Sequence, residues 1–262
     1  KICSAAVQDY GFALEYVPDN MKTKEMCEKA VHNIACALEY VPEKLITYEL
    51  CFKAISANGC ILRYVPIKFK TKELCDMALK QTKLAFQYVP DHLKTEKMCD
   101  EAIKSFVNLF MHVPIHFKTR EMSINTIKEE PRMLEFVPPE FKTKEMCLDV
   151  VKRDGRMLEF VPEHLKTGDI CIAAVHRRYE ALQFVPREFK TQELCEFAVE
   201  HDATVFPYVP DELKSEKICL RVVKFYGFYL ECIPVEKQTQ KICLAAVDSR
   251  SEERRVGKEC LR

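Results

Sequence analysis

The chain of 262 residues contains no tryptophan and only six glycines, and its 40 basic and 40 acidic residues leave a formal net charge of zero. Because a zero balance provides no long-range attraction for polyanions, neither nucleic acid nor a membrane surface is expected as a partner. No apolar run approaches the roughly 18 residues that a membrane-spanning helix requires. The chain also opens with Lys-Ile-Cys-Ser instead of an initiator Met or a signal peptide, so we expect a fragment of a longer protein.

Sequence motifs for catalysis are missing as well. The glycines form no phosphate-binding loop, and neither His-Glu-x-x-His nor a nucleophile elbow occurs. No Cys-x-x-Cys pair is present, and the closest cysteines, such as Cys27 and Cys36, lie nine residues apart, outside common zinc spacings. We therefore expect no enzyme activity within these residues, no cofactor and no metal.

What the sequence does contain is repetition. A proline, preceded by Val or in the last copy by Ile, recurs every 24 residues without slippage, at positions 18, 42, 66, 90, 114, 138, 162, 186, 210 and 234. A hydroxyl residue stands five positions after each proline: Thr23, Thr47, Thr71, Thr95, Thr119, Thr143, Thr167, Thr191, Ser215 and Thr239. A fixed period of this length is typical of solenoids and other repeat architectures.

Each copy predicts two short helices. The Thr can accept hydrogen bonds from the free N–H groups of a first helical turn, and apolar residues three, four, seven and eight positions later lie on one helix face. Glycine follows this helix in four copies, for example Gly11 and Gly59, where we expect the left-handed conformation that glycine adopts cheaply. A second apolar set follows, and Val-Pro ends it because proline disfavours helix in the residue before it.

Helices shorter than about 12 residues are marginal in water, so neighbouring copies must bury one another's apolar faces. The sequence thus predicts an all-α fold, an α-solenoid of about ten stacked 24-residue helical hairpins over residues 1–248. Residues 249–262 depart from the pattern, with Arg254, Gly257 and Lys258 where Leu, Val and Pro are due. This tail resembles translated vector sequence, and we expect it to be non-native.

Ten of the 14 cysteines occupy one column of the repeat: Cys3, Cys27, Cys51, Cys75, Cys99, Cys147, Cys171, Cys195, Cys219 and Cys243. Equivalent helices of stacked repeats lie roughly 8–10 Å apart, whereas a disulfide needs Cα atoms within about 7 Å. We therefore interpret the column as buried packing residues. So many unpaired thiols favour a reducing, cytoplasmic compartment.

The repeat, Lys-Thr-x-Glu-Met-Cys-x-x-Ala-Val followed by Leu-x-Tyr/Phe-Val-Pro, resembles a short repeat family known as a domain of unknown function. The resemblance covers residues 1 to about 248. Proteins similar to this family are associated with intracellular bacteria, including secreted effectors, and with large DNA viruses and protists. The resemblance implies a repeat scaffold and a role inside a host or eukaryotic cell, and it carries no catalytic or binding residues.

Candidate functional residues are those that the copies do not share. In the fifth copy Phe106, Met111 and Ile115 stand where other copies hold polar residues, and an excess of this kind can form an exposed patch for a partner. Apolar residues also replace acidic ones along the flank of the first helix, at Phe52, Ile124, Leu148 and Ile172. A broader buried edge in those copies explains the flank equally well.

These patterns favour a monomeric scaffold that mediates protein–protein interaction and has no catalysis of its own. One alternative is a structural spacer within a larger protein, which should show polar, interchangeable surfaces in every copy. Another is the non-catalytic part of an enzyme or effector whose active domain lies outside this chain.

Overall fold

The computed structural model describes the backbone of residues 2–259 and the side chains of residues 3–249. The chain forms two compact units, residues 1–122 and residues 123–262. Within residues 2–259 all regular structure is helical, which confirms the predicted all-α fold, and in each unit consecutive repeats stack on one another.

One α-helix begins each repeat, immediately after the capping position. The first unit contains α1 (Ile2–Asp9), α2 (Lys24–Asn33), α3 (Tyr48–Ala57), α4 (Lys72–Gln81) and α5 (Glu96–Ser105). The boundary between the units falls inside α6 (Arg120–Glu129), and the second unit continues with α7 (Lys144–Arg153), α8 (Gly168–Arg177), α9 (Gln192–His201), α10 (Glu216–Phe225) and α11 (Gln240–Glu259).

The second arm of each repeat is a six-residue 3₁₀ helix and not an α-helix. These arms are Gly11–Tyr16, Ala35–Tyr40, Gly59–Tyr64, Lys83–Tyr88, Val107–His112, Pro131–Phe136, Gly155–Phe160, Tyr179–Phe184, Ala203–Tyr208 and Gly227–Cys232. The tighter 3₁₀ winding suits short segments, and here the Val-Pro stop limits the arm to two turns. In the second repeat, for example, the Val41 N–H donates to the Leu38 carbonyl at 3.2 Å and closes the last turn.

After each proline from Pro42 on, one further 3₁₀ turn leads to the next capping residue. These turns are Glu43–Leu45, Ile67–Phe69, Asp91–Leu93, Ile115–Phe117, Pro139–Phe141, Glu163–Leu165, Arg187–Phe189, Asp211–Leu213 and Val235–Lys237. The last residue of most of these turns is Leu or Phe and is half-buried, which anchors the connection to the core.

The predicted helix caps are confirmed in nine of the ten copies. Thr23 Oγ1, for instance, accepts a hydrogen bond from the Met26 N–H at 3.3 Å, and Ser215 Oγ does the same for Ile218. The exception is Thr167, whose buried Oγ1 has no hydrogen-bond partner. Each cap satisfies one of the N–H groups that a first helical turn leaves unpaired.

The predicted apolar stripe forms the core of both units. In α3 the side chains of Leu50, Cys51, Ala54 and Ile55 are all buried, and the same four positions are buried in α8. Leucines and phenylalanines of the 3₁₀ arms, such as Phe86, complete the core.

The reason given for the helix-ending glycines is wrong. No glycine among the described residues has a positive φ, so left-handed geometry is not what selects them. Instead, a Cβ atom at Gly59 would lie 2.6 Å from the carbonyl oxygen of Ala78 in the next repeat, and one at Gly11 would lie 2.6 Å from that of Ala30. Glycine therefore allows the start of a 3₁₀ arm to approach the following α-helix closely.

Consecutive repeats are joined by a lysine that is buried in three copies and half-buried in four, a role that the sequence did not predict. This lysine lies four residues after the proline, and its Nζ donates to the backbone carbonyl 18 residues later, at the end of the next 3₁₀ arm. The bonds are Lys22 to Tyr40 (2.8 Å), Lys70 to Tyr88 (2.9 Å) and Lys94 to His112 (2.6 Å) in the first unit, and Lys142 to Phe160 (2.8 Å), Lys166 to Phe184 (3.1 Å), Lys190 to Tyr208 (2.8 Å) and Lys214 to Cys232 (2.7 Å) in the second.

The surroundings of Lys94 show how an ammonium group is accommodated at this depth. Its side chain is only 4% exposed, Asp91 Oδ1 lies 2.8 Å from Nζ, and the Phe86 ring lies beneath it at 4.8 Å. The carbonyl it binds would otherwise be an unpaired helix end, where a positive charge is favourable. Where the residue after the proline is not acidic, as beside Lys70 or Lys190, burial lowers the pKa of the lysine.

Two further expectations concern membrane-spanning helices and the segment 249–262. No helix among the described residues combines the length and apolar character that a membrane span requires. The last helix, α11, continues to Glu259 and so includes most of the 249–262 segment, while side chains from Arg250 on and residues 260–262 lie outside the described residues. The prediction that this segment is non-native falls largely there and stays a prediction.

Replacing Gly59 tests the close approach between repeats. We expect Gly59→Ala to lower the free energy of unfolding by about 1–3 kcal/mol, because its Cβ would meet the Ala78 backbone. Gly168→Ala is the control, since the nearest atom to its Cβ would be Phe189 Cδ1 at 3.8 Å. That change should be neutral or stabilise by up to about 1 kcal/mol. Urea denaturation measures both, and equal effects would contradict the packing explanation.

Replacing Lys94 tests the bond between repeats. Lys94→Met keeps most of the apolar stem but leaves the His112 carbonyl without its donor, so we expect a loss of about 1–3 kcal/mol in the free energy of unfolding. Lys97→Met removes a charge whose side chain is 86% exposed, and it should change stability by less than about 0.5 kcal/mol. Comparable losses in the two variants would show that charge alone matters.

Candidate functional site

Phe106 lies at the junction between α5 and the following 3₁₀ arm. Its N–H ends the α-helix by donating to the Ala102 carbonyl at 2.8 Å. At the same position of other copies a polar side chain caps the 3₁₀ arm, as Asn58 does by accepting from the Cys60 N–H at 3.0 Å. Phenylalanine has no acceptor to offer there, and its side chain is 45% exposed.

Met111 and Ile115 lie further along the same repeat. Met111 is 44% exposed near the end of the 3₁₀ arm, on the outer face that it shares with Asn108 three residues earlier. Ile115 is 67% exposed and opens the next turn. Positions 106 and 111 are about 10 Å apart along a 3₁₀ axis, so the three side chains are spread along the repeat and do not form one compact cluster. We call Phe106, Met111 and Ile115 the apolar row.

Sequence reasoning missed several exposed apolar residues of the same unit, among them Leu84 and Ile67. Leu84 occupies the column that holds Arg132 and Arg156 in other copies, and Ile67 occupies the column of Ile115. In the second unit the residues equivalent to Leu84 and Phe106 are Arg132 and Asp154, whose side chains lie 4.0 Å apart. The repeat register therefore places Leu84 beside Phe106. A comparison of equivalent positions in all the repeats would have shown that Leu84 is apolar where other copies hold arginine.

The predicted flank of the first helix divides into two groups. Phe52 and Ile172 are exposed, whereas Ile124 and Leu148 are half-buried. Glu196 shows what this position faces, because its carboxylate accepts bonds from Ser215 Oγ at 3.2 Å and Lys217 Nζ at 2.9 Å, at the start of the next helix. Ile124 and Leu148 thus belong to a half-buried edge of the first helix. Of the four residues, only Phe52 and Ile172 expose enough surface to contact a partner.

Histidines of the second unit take part in aromatic packing. The His176 ring stacks on Phe197 at 4.1 Å, and Tyr179 stacks on His201 at 4.9 Å. His201 Nδ1 also lies 2.8 Å from the Phe197 carbonyl oxygen. These contacts give the rings a structural role between α8 and α9.

The cysteine column is a packing feature, as predicted. Eight of its side chains, including Cys51 and Cys75, have no exposed surface, and the cysteines of residues 3–249 are all free thiols. Burial raises the pKa of the Cys51 and Cys75 thiols to about 11, which keeps them protonated and unreactive at neutral pH. Among the side chains that the structure describes, no three His, Cys, Asp or Glu residues are grouped to hold a metal ion.

A comparison with family models identifies the repeat. The model described as "Domain of unknown function (DUF4116)" matches residues 1–46, 47–94 and 143–190, more than half of the chain. The first two matches lie end to end, and each match spans about two 24-residue repeats. No curated protein and no solved structure matches the chain.

Alkylation tests the state of the thiols. Iodoacetamide at neutral pH should modify Cys232, the one exposed cysteine among residues 3–249, well before Cys51 or Cys75, because the latter are buried with a raised pKa. In urea all of them should react. Mass spectrometry of peptides locates the modified sites, and modification of Cys75 in the folded protein as fast as Cys232 would contradict the packing role.

Proposed function

The chain belongs to the DUF4116 family, and we propose that it is a repeat module that binds a partner protein and has no catalysis of its own. The copies share the groups that build each unit: the capping Thr or Ser, the apolar stripe and, in all but the copies with Ile46 and Gln238, the lysine between repeats. They differ at exposed positions, and differences of that kind are what a binding surface requires.

The observation that carries the proposal is the row of large apolar side chains on the fifth copy. Phe106, Met111 and Ile115 expose between 44% and 67% of their surface at positions that are polar in most other copies. Exposed apolar area of this type costs solubility and is typical of protein contact sites. The row continues to Leu84 in the preceding repeat, which is 39% exposed.

The chemistry of the row favours a protein partner over nucleic acid. Its polar neighbours in the sequence include Asn108, Gln87 and Asp91, and basic residues such as Lys83 and Lys104 stand singly among them, so a phosphate backbone would meet no continuous basic stripe. A partner helix or strand can instead lay apolar side chains along an extended row of about this length. Phe52, also in the first unit, and Ile172 in the second provide further apolar contacts.

The free thiols support a working environment that is reducing. Thirteen cysteines of the described chain are unpaired, and such a set persists in the cytoplasm but not in oxidising compartments. The family resemblance extends this proposal to the interior of a host cell. We propose a monomer as the active form.

A pull-down tests the row. Wild type is compared with the variant Phe106→Glu, Met111→Lys, Ile115→Glu, and we expect the variant to lose most of the captured partner because charge replaces apolar contact area. All three positions are exposed, so circular dichroism should show an unchanged fold.

The control variant changes charge at exposed positions of the second unit that are equivalent to Met111. It carries Glu159→Lys and Gln183→Glu, and it should capture the partner as wild type does. If the row variant is folded and captures as much partner as wild type does, the proposed surface is wrong and a structural spacer is favoured.

A further inference from the structure

The second unit contains a cleft of about 360 Å³ whose walls are rich in arginine, and neither the repeat pattern nor the proposed apolar row accounts for it. Its lining residues come from four consecutive repeats. Five of them are arginines: Arg132, Arg153, Arg156, Arg177 and Arg178.

Two of the arginines are fixed at helix ends. Arg153 Nη1 donates to the carbonyls of Ile127 and Lys128 at 3.0 and 2.8 Å, and its Nη2 donates to that of Glu129 at 3.4 Å, at the end of α6, so this residue contributes mainly its fixed positive charge. Arg177 Nε donates to the Arg153 carbonyl at 3.1 Å, at the end of α7, which leaves its two terminal nitrogens for a ligand. Both guanidinium groups are therefore held in place before any ligand arrives.

The other three arginines surround one carboxylate. Asp154 is only 16% exposed, and its Oδ1 already accepts the Arg156 backbone N–H at 3.2 Å. The Nε atoms of Arg132, Arg156 and Arg178 lie 4.0, 3.5 and 4.0 Å from its oxygens. One carboxylate cannot neutralise three cations, and about half or more of each arginine side chain remains exposed.

The net charge of the cleft favours a small anion over an extended polyanion. Five guanidinium groups and the carboxylates of Asp154, Glu180 and Asp202 leave an excess of two positive charges. A phosphorylated side chain carries about −1.5 to −2 at neutral pH and offers oxygens that guanidinium groups bind in pairs. An extended polyanion would meet the acidic members of the same wall, and the zero net charge of the chain would not attract it.

We propose that this arginine cleft binds a phosphorylated serine or threonine of a partner protein. The proposal deepens the protein-binding function and rests on it, but it concerns a different surface from the apolar row. Arg153 and Arg177 provide the fixed part of the site, and Arg132, Arg156 and Arg178 turn toward the phosphoryl group.

The test uses the full chain and two immobilised peptide pools of degenerate sequence, identical except that the central serine is phosphorylated in one. We expect the chain to bind the phosphorylated pool at least tenfold more strongly than the other. Arg132→Gln with Arg156→Gln should abolish that preference. Both side chains are half-exposed or more, so the fold should persist, which circular dichroism checks.

The matched control, Lys128→Gln with Lys152→Gln, removes two exposed positive charges of the same unit outside the cleft and should keep the preference. Equal binding of the two pools by wild type, or an equal loss in the control, would overturn the proposal. So would tighter binding of a 20-nucleotide RNA with the same dependence on arginine, which would assign the cleft to nucleic acid.

The variant of the apolar row separates the two proposals. It should bind the phosphorylated pool as wild type does while it loses partner capture. Loss of pool binding in that variant would overturn an independent cleft. Intact pool binding together with unchanged capture would reject the apolar row and leave the cleft standing.

Discussion

The contact on which each unit depends is the bond from a buried lysine to the repeat that follows it. The ammonium group of Lys94 leaves water almost completely, and it is tolerated because a helix-end carbonyl and the neighbouring carboxylate of Asp91 accept its hydrogen bonds. The bond joins atoms 18 residues apart in every copy that makes it. Because an insertion or deletion between donor and acceptor would change this separation along the sequence, the bond favours a period of 24 residues without slippage.

The same contact explains why the surface can vary. Caps, stripe, glycine contacts and lysines occupy the interior and the junctions of each repeat, so exposed positions at the start of the 3₁₀ arms can differ between copies. In the first unit these positions carry Phe106 and Leu84, and in the second the same columns carry Asp154 and Arg132. One frame thus presents apolar contacts in one place and a cationic cleft in another, which suits a module that recognises a partner through several short segments.

Local signals were read from the sequence with success because they act within one or two turns. Thr23 and its equivalents cap the first turn, Val-Pro ends the arm, and Cys51 lies on the buried face, all as expected. The cause predicted for the glycines was wrong. Gly59 is required because a Cβ atom there would clash with the carbonyl oxygen of Ala78, 19 residues away, and not because its φ is positive. The second arm proved to be 3₁₀ because its length, and not its apolar spacing, decides the winding.

The sequence by itself determined the period, the start of each α-helix, the Val-Pro end of each 3₁₀ arm, the buried stripe and the exposure of Phe106, because capping, periodicity and proline geometry depend on near neighbours. Only the tertiary structure decided that a residue type usually found in water, the lysine before most of the caps, would be buried or half-buried between repeats. It also brought Arg132 and Arg178 to the carboxylate of Asp154, although they lie 22 residues before it and 24 residues after it in the sequence. The physical reason is the same in both cases: stacking of repeats brings together charges that no single turn of helix relates.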